Sequence, residues 1–259
     1  MSKYISFSQL KNWTKCPFYH KLVSIDKVEG FTGNIYTAFG TAIHNLIEKR
    51  LLNEISEEVQ FETFKKNFSD EIEALKEEVK PSQKDIDTFT KQSSGIIENY
   101  YDHLISYFGS DFDIISCEEQ IYEKINDFTL DNYMFKGYID LVVKVGETYH
   151  ILDWKTCSWG WDAKRRSDTN TTYQLVLYKY YYALKHDIDP KNIKCHFGLL
   201  KRTAKKDHVE IFEITTGPRR TKNAIELLTK ALHNIHKKNY MKNRLSCDRC
   251  EFKGTKWCP

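Results

Sequence analysis

The segment GYIDLVVKVGETYHILDWKT, Gly137–Thr156, restricts the fold of this chain more than any other. Two apolar, β-branched runs flank Gly146-Glu147. Glycine at the first central position of a two-residue loop suits a type II′ hairpin turn. That turn sets the register: Val145 pairs with Thr148, Val143 with His150, Val142 with Ile151 and Leu141 with Leu152. Carried on by the same rule, Asp140 falls opposite Asp153 and Tyr138 opposite Lys155. Facing Cβ atoms in an antiparallel pair lie about 4.5–5.5 Å apart, so like charges there are destabilising. Three arrangements relieve the repulsion: a solvent-facing surface, protonation of one acid, or a divalent cation between the two. Val142 and Ile151 share the expected face with the acids, which counts against the first. Hard oxygen ligands suit Mg²⁺ or Mn²⁺. Lys155, two residues beyond Asp153, points the same way along its strand.

The remainder of the 259 residues supplies a mixed set of elements. Ser6 and Gln9 have the spacing of a helix capping box, and Pro17 interrupts the helix that follows. Ala42, Ile43, Leu46, Ile47 and Leu51 recur at helical spacing, so this second helix is buried. Residues 54–110 are helical and strongly charged and read as a helical insertion. From Asp113 the pattern turns to strands, through FDIISCEEQIYEKI, YMFKGYIDLVVKV and ETYHILDWKT. The helix TTYQLVLYKYYYALKH, the strands IKCHFGLLKR and HVEIFEI, and an amphipathic helix with Ala224, Leu227, Leu228, Ala231, Leu232 and Ile235 on one stripe complete the order. This order predicts a single α/β (mixed α+β) domain over 1–259, with a central mixed sheet flanked by helices. A short cysteine-dense segment, 241–259, ends it. The net charge of +3 neither requires nor excludes nucleic acid. The N-terminus lacks the apolar stretch of a signal peptide, and no run of about 18 apolar residues occurs. The expectation is a protein with no membrane association, in the cytoplasm (that of the host, if the protein is viral).

Several short motifs stand in a fixed order along the chain. FGTAIHNLIE carries Gly40, His44 and Glu48 one helical turn apart. GYID and LDWKT carry Asp140, Asp153 and Lys155, and YQLVLY carries Gln174 and Tyr178. Together they resemble the PD-(D/E)XK nuclease superfamily, and within it the RecB-type nucleases. The resemblance runs from Cys16 to Cys258 and implies a restriction-endonuclease-like core. It implies that His44, Asp140, Asp153 and the Trp154 carbonyl bind Mg²⁺ or Mn²⁺, and that Lys155 orients or activates the attacking water. Gln174 and Tyr178 would line the site. Glu118 or Glu119, with Glu119 preferred, would be the acidic residue preceding the first active-site strand. Imidazole is a softer ligand than Mg²⁺ prefers, so His44 tilts the site toward Mn²⁺. The number of catalytic metals stays open.

Cys247, Cys250 and Cys258 form a C-x2-C-x7-C group, and Cys16 lies at the other end of the chain. Clustered cysteines in a reducing compartment suggest a metal site, and four thiolates suit either Zn²⁺ or an iron–sulfur cluster. The resemblance favours the cluster. AddB-type recombination nucleases and CRISPR adaptation nucleases place one cysteine before the nuclease motifs and three after them around [4Fe–4S], although their last gap is more often five residues. Cys117, Cys157 and Cys195 read as core residues. Trp159, Trp161, Lys164, Arg165 and Arg166 follow the active-site strand and mix stacking with basic side chains, as a DNA contact needs. Lys201 and Arg202, with Lys205 and Lys206, form a second basic patch.

The expected function is metal-dependent hydrolysis of DNA phosphodiesters. The enzyme would be an exonuclease or end-processing nuclease in DNA repair, recombination or viral DNA processing, acting on single strands or on ends. The alternative is a catalytically silent DNA-end-binding module with a structural Fe–S or zinc site; a zinc-stapled α/β protein acting on something other than DNA is a third reading. No helicase P-loop is present, so unwinding would come from a separate helicase or recombination protein. Oligomeric state, strand polarity and endo- against exonuclease preference are not encoded in these motifs.

Overall fold

The computed structural model describes residues 3–259, the side chain of Arg249 excepted. Its centre is a six-stranded mixed sheet. The strands are β1 (Lys3–Ser6), β2 (Asp113–Lys124), β3 (Tyr133–Val145), β4 (Thr148–Cys157), β5 (Ile193–Lys201) and β6 (Val209–Ile214). The order is β1-β3-β4-β5-β6, with β2 on the other side of β3. β1 runs parallel to β3 and β4 parallel to β5, while the remaining pairs are antiparallel. Among the described residues, no helix is long and apolar enough to cross a membrane.

Helices cover both faces. One core gathers Ile139, Val142, Ile151 and Phe197 of the sheet under α1 (Phe7–Lys15), α7 (Thr169–His186) and α8 (Pro218–His236). The second gathers Leu141, Val143, Leu152 and Trp154 under α3 (Ile35–Leu51), α4 (Gln60–Glu73) and α5 (Gln83–Phe108). Local signals explain where these helices begin. The Ser6 hydroxyl accepts from the Gln9 N–H while the Gln9 side chain accepts from the Ser6 N–H, completing the expected capping box of α1. Asn34 and Asp168 cap α3 and α7 in the same manner, with side-chain oxygens accepting first-turn N–H groups. Two short helices, α2 (Pro17–His20) and α6 (Ala163–Ser167), complete the set.

The hairpin has the expected register from Val145↔Thr148 to Leu141↔Leu152. Gly146 sits at φ +55 and Glu147 does not, as a type II′ turn requires. Beyond Leu152 the expectation fails. The β3–β4 ladder stops there, so Asp140 does not face Asp153, nor Tyr138 Lys155. Further along the same flank stands β1, a strand the sequence pattern did not reveal. It pairs with β3 over Tyr133–Lys136, on the side β4 would need, while β4 continues along β5 as far as Cys157.

A second irregularity accompanies the parting. Phe135 and Ile139 face the α7 core, yet Leu141 and Val143 face the α3 core. Strict alternation cannot place all four in this way. On the neighbouring strand Glu118, which falls opposite Asp140 in the β2–β3 register, adopts φ +47. That left-handed conformation is uncommon for a residue other than glycine, and it marks a local slip of the pleat. The strand faces exchange sides here, at the mouth of the fork.

Close packing at β5 depends on Gly198, where an added Cβ would collide with the six-membered ring of Trp154. Both groups are rigid. Gly198→Ala is therefore expected to destabilise the fold by about 2 kcal/mol and lower the melting temperature by several degrees, measured by thermal unfolding.

Candidate active site

The fork between β3 and β4 holds the charged residues that the sequence singled out. The Trp154 N–H, left without a strand partner where the ladder ends, donates to Asp140 Oδ2 at 2.7 Å. The same oxygen lies 3.5 Å from His44 Nδ1 on α3. Gly40, one turn earlier on that helix, lets α3 lie close against β4: a Cβ there would come within 3.3 Å of Thr156 Oγ1. Glu118 enters from β2 through its left-handed turn. His44, Glu118 and Asp140 each offer a ligand atom, and the three atoms lie within 4.8 Å of one another.

Asp153 is 1% exposed and ion-paired with Lys155. Leu152 and Trp154 face the α3 core, so Asp153 and Lys155 project from the opposite face of β4, toward α7. There Gln174 Nε2 donates to the Tyr178 hydroxyl at 3.2 Å, and Tyr178 is 5% exposed. Gly137 makes room for that ring, since a Cβ would lie 2.5 Å from Tyr178 Cε1.

The electrostatics follow from burial in a tight group. Burial first, and then the Asp153 carboxylate, lift Asp140 well above the ordinary aspartate range. Burial raises Asp153 too, partly offset by Lys155. Glu118 is raised by burial and by Glu48 and Asp153. Burial opposes charge on Lys155, but the two aspartates outweigh it and hold its pKa above the usual lysine value. Burial, with a smaller contribution from Lys155, brings His44 down to about 4, so the imidazole is neutral at pH 7. A neutral imidazole and two carboxylates short of positive charge fit a hard divalent cation. One ammonium cannot balance three carboxylates at this spacing.

The structure redistributes several candidate residues. Glu119 is turned away from the group: its Oε1 accepts from Lys185 at 2.7 Å and lies 2.5 Å from His186 Nε2, at the far end of α7. Glu118 occupies the place assigned to Glu119, because the pleat slip sends neighbouring side chains to opposite faces out of phase with the sequence pattern. Trp154 contributes its backbone N–H, while its indole is buried in the α3 core. Of the loop after β4, Trp161 is 6% exposed and packs on Phe197, so it is not a free stacking surface. Arg166 donates to Glu210 and to the Trp161 carbonyl. Lys201 also pairs with Glu210. Arg202 is 6% exposed, lies over the Phe89 ring and donates to Gln92 and Ser158. Each of these basic groups thus has a partner within the fold. Trp159, Lys164 and Arg165 remain at the surface.

Two residues near the site escaped the sequence pattern. Trp159 and Arg165 share a cleft of about 340 Å³ with Tyr36 and Thr156, directly beyond Lys155. Lys11 on α1 has its pKa lowered by burial and by the nearby charges of Lys155 and Arg165. Tyr36 follows the cap of α3 and Lys11 lies at a polar position of an amphipathic helix, so neither stands out by spacing.

The four candidate cluster cysteines, by contrast, come together. Cys16, Cys247, Cys250 and Cys258 all line one cavity of about 400 Å³ between the two ends of the chain. The Asn243 N–H points at Cys16 Sγ at 3.3 Å. Cys195 is buried, and Cys117 and Cys157 are half-buried beside the sheet.

A central mixed sheet, a forked strand pair with acids at its mouth and a lysine two residues on define an α/β fold of the restriction-endonuclease kind. The sequence profile of the PD-(D/E)XK nuclease superfamily matches residues 4–259, and the chain belongs to that superfamily. Among solved structures, an exonuclease by provisional assignment from Eubacterium rectale has a TM-score of 0.61 at 12% identity. The match covers 96% of this chain and 86% of that one, and it shows a shared fold. The structure of SSO0001 has a TM-score of 0.45 at 13% identity, covering 97% and 85% of the two chains. Among curated proteins none matches the sequence.

The raised pKa of Asp140 gives a pH signature in chelator. A folded-state pKa above the unfolded value means that the native state holds the extra proton. Stability is then present at low pH and is lost as pH rises through the folded pKa. Asparagine can still accept from the Trp154 N–H. Asp140→Asn is therefore expected to melt above the wild type at pH 8 in EDTA, with the difference vanishing near pH 4, as followed by thermal unfolding.

Proposed function

We propose that the chain is a divalent-metal-dependent nuclease that hydrolyses DNA phosphodiesters. The observation that carries this reading is the convergence of His44, Glu118 and Asp140 within 4.8 Å, beside the Asp153–Lys155 pair. His44, Glu118 and Asp140 would hold Mg²⁺ or Mn²⁺, with Asp153 adjoining them. When bound, such a cation supplies Lewis acidity toward the scissile phosphate. Lys155 keeps its proton, so it serves as a donor that positions the attacking water or a phosphate oxygen. Tyr178 and Gln174 limit the space around Lys155 from the α7 side. Trp159 and Arg165 border the cleft just beyond and suit contact with an adjacent nucleotide. The acids alone would repel a polyanion; Lys11, Lys155 and Arg165 offset this.

Digestion of end-labelled linear single strands, linear duplex and circular DNA, with Mn²⁺, Mg²⁺ or EDTA, tests the proposal. Cutting should require the divalent ion and fall by more than about a hundredfold in Asp140→Asn, Lys155→Ala and Glu118→Gln. Glu119→Gln should cut like the wild type. Undiminished cutting by Lys155→Ala would move the chemistry elsewhere, and binding to ends without cutting by the wild type would make the chain an end-binding module.

The same reading assigns a [4Fe–4S] cluster to Cys16, Cys247, Cys250 and Cys258. One feature supports it over zinc. Zinc–sulfur bonds of about 2.3 Å would draw four thiolates to within about 4 Å of one another. Among the described residues no three cysteine sulfurs lie within 4.8 Å. Lys15, Lys242, Arg244 and Lys253 also line the cavity, and their charge suits an anionic tetrathiolate site with either metal. Such a group would join the end of α1 to the last residues of the chain. Anaerobic reconstitution should give brown protein with about four irons per chain. Cys258→Ala should lose the iron and several degrees of melting temperature. Stoichiometric zinc in protein that takes up no iron would overturn the assignment.

A further inference from the structure

The half of the sheet that lies clear of α3 leads directly into the candidate site. On β3, Phe135 and Ile139 are buried in the α7 core, so Lys136, Tyr138 and Asp140 alternate onto the other face. Tyr4 on β1 stands on that face beside Lys136, whose ammonium lies 5.1 Å from the Tyr4 ring and 5.8 Å from the Tyr138 ring. On β2, Tyr122 falls opposite Lys136 and Gln120 opposite Tyr138. The Gln120 amide donates to the Tyr138 hydroxyl at 2.9 Å and steadies that ring. Tyr4 is 43% exposed, Tyr138 42% and Tyr122 37%. The result is an open face of tyrosines with a lysine among them, ending at the carboxylates.

We propose that this face is a track that guides a single strand of DNA to the fork, with bases stacked on Tyr4 and Tyr138 and a phosphate held by Lys136. The inference rests on the nuclease reading and adds the form of the substrate. Four points favour it. Stacking on an aromatic side chain needs an unpaired base with an open face, which a duplex does not present along its length. Tyr4 is level with Met134, so Tyr4 and Tyr138 stand four strand residues apart, about 13 Å, a span that two nucleotides of an extended strand can match with Lys136 at its midpoint. The face is also continuous with Asp140, so a strand lying on it delivers its next phosphodiester to His44, Glu118 and Asp140. Lys136, set between two tyrosine rings, gives the surface a charge complementary to the backbone.

The test measures fluorescence anisotropy of a labelled oligo-dT with the full-length protein in EDTA, where no cutting interferes. Tyr4→Ala/Tyr138→Ala should weaken binding about tenfold or more, and Tyr4→Phe/Tyr138→Phe should bind like the wild type. Lys136→Gln should reduce the slope of log Kd against log salt by about 0.7. Affinity for blunt duplex should be the same in every variant. Unchanged oligo-dT affinity in a folded alanine variant overturns the track. So does an unchanged salt slope in Lys136→Gln, which decides the matter if the alanine pair does not fold. A shift from dimer to monomer in the alanine pair, with DNA affinity intact, would give the face to a second copy of the chain instead. Wild-type protein that binds in this way but never cuts overturns the nuclease reading and leaves the track standing. Cutting by wild type, with wild-type binding in the alanine pair, does the reverse.

Discussion

The arrangement of the site depends on one hydrogen bond at the point where β3 and β4 separate. A ladder that stops inside a folded core leaves backbone groups without strand partners. A buried N–H with no acceptor costs about 1–3 kcal/mol. Here the unpaired N–H belongs to Trp154, and the Asp140 carboxylate accepts it at 2.7 Å. This fixes the carboxylate between β3, β4 and α3. The same oxygen faces His44, so the group that closes the backbone also sets the geometry of the His44, Glu118 and Asp140 group. β1 takes the same flank of β3 again at Tyr133–Lys136, beyond the mouth of the fork.

Most of the architecture was legible in the sequence because its elements are long and periodic. The hairpin register from Val145 to Leu152 followed from a two-residue turn with glycine in first position, and the α1 capping box from Ser6 and Gln9. The site was legible as a set of residues but not as an arrangement. Extending the register to Asp140 and Asp153 assumed a regular ladder. β1 is only four residues long and lies more than a hundred positions from its partner, so no local signal marked the point where the ladder would end. The choice between Glu118 and Glu119 failed for a related reason. Alternation decides which side chain faces inward, and the left-handed Glu118 resets alternation at that residue.

The basic loop after β4 divides in a different way. Its composition suits nucleic acid, yet Glu210 draws Arg166 and Lys201 into ion pairs, and Phe197 and Phe212 draw Trp161 into the core. Arg202 is enclosed by Tyr36, Phe39 and Phe89. An acidic residue on β6 thus determines what a loop some fifty positions earlier can present. Composition records which side chains are available; only tertiary pairing decides which remain at the surface. Trp159, Lys164 and Arg165 remain at the surface, Arg165 lying over the outer side of the Trp161 ring at 4.6 Å.

The charges left at the surface and those kept inside complement one another. Inside the fork, carboxylates crowd together with raised pKa values, and Lys155 is their closest positive neighbour. Such a group favours a cation and disfavours a phosphate. On the proposed reading the site accepts both, which calls for positive or aromatic surface on each side of the acids, where a polyanion can be held while its phosphodiester is brought to the fork. Tyr36, Trp159 and Arg165 border one side, just beyond Lys155. Tyr4, Lys136 and Tyr138 lie on the other, along the strand that ends in Asp140. The residue that changes strand alternation is also the one that joins Asp140 at the site. A single slip of the pleat thereby turns Asp140 and Glu118 toward His44 and aligns the open tyrosine face with them.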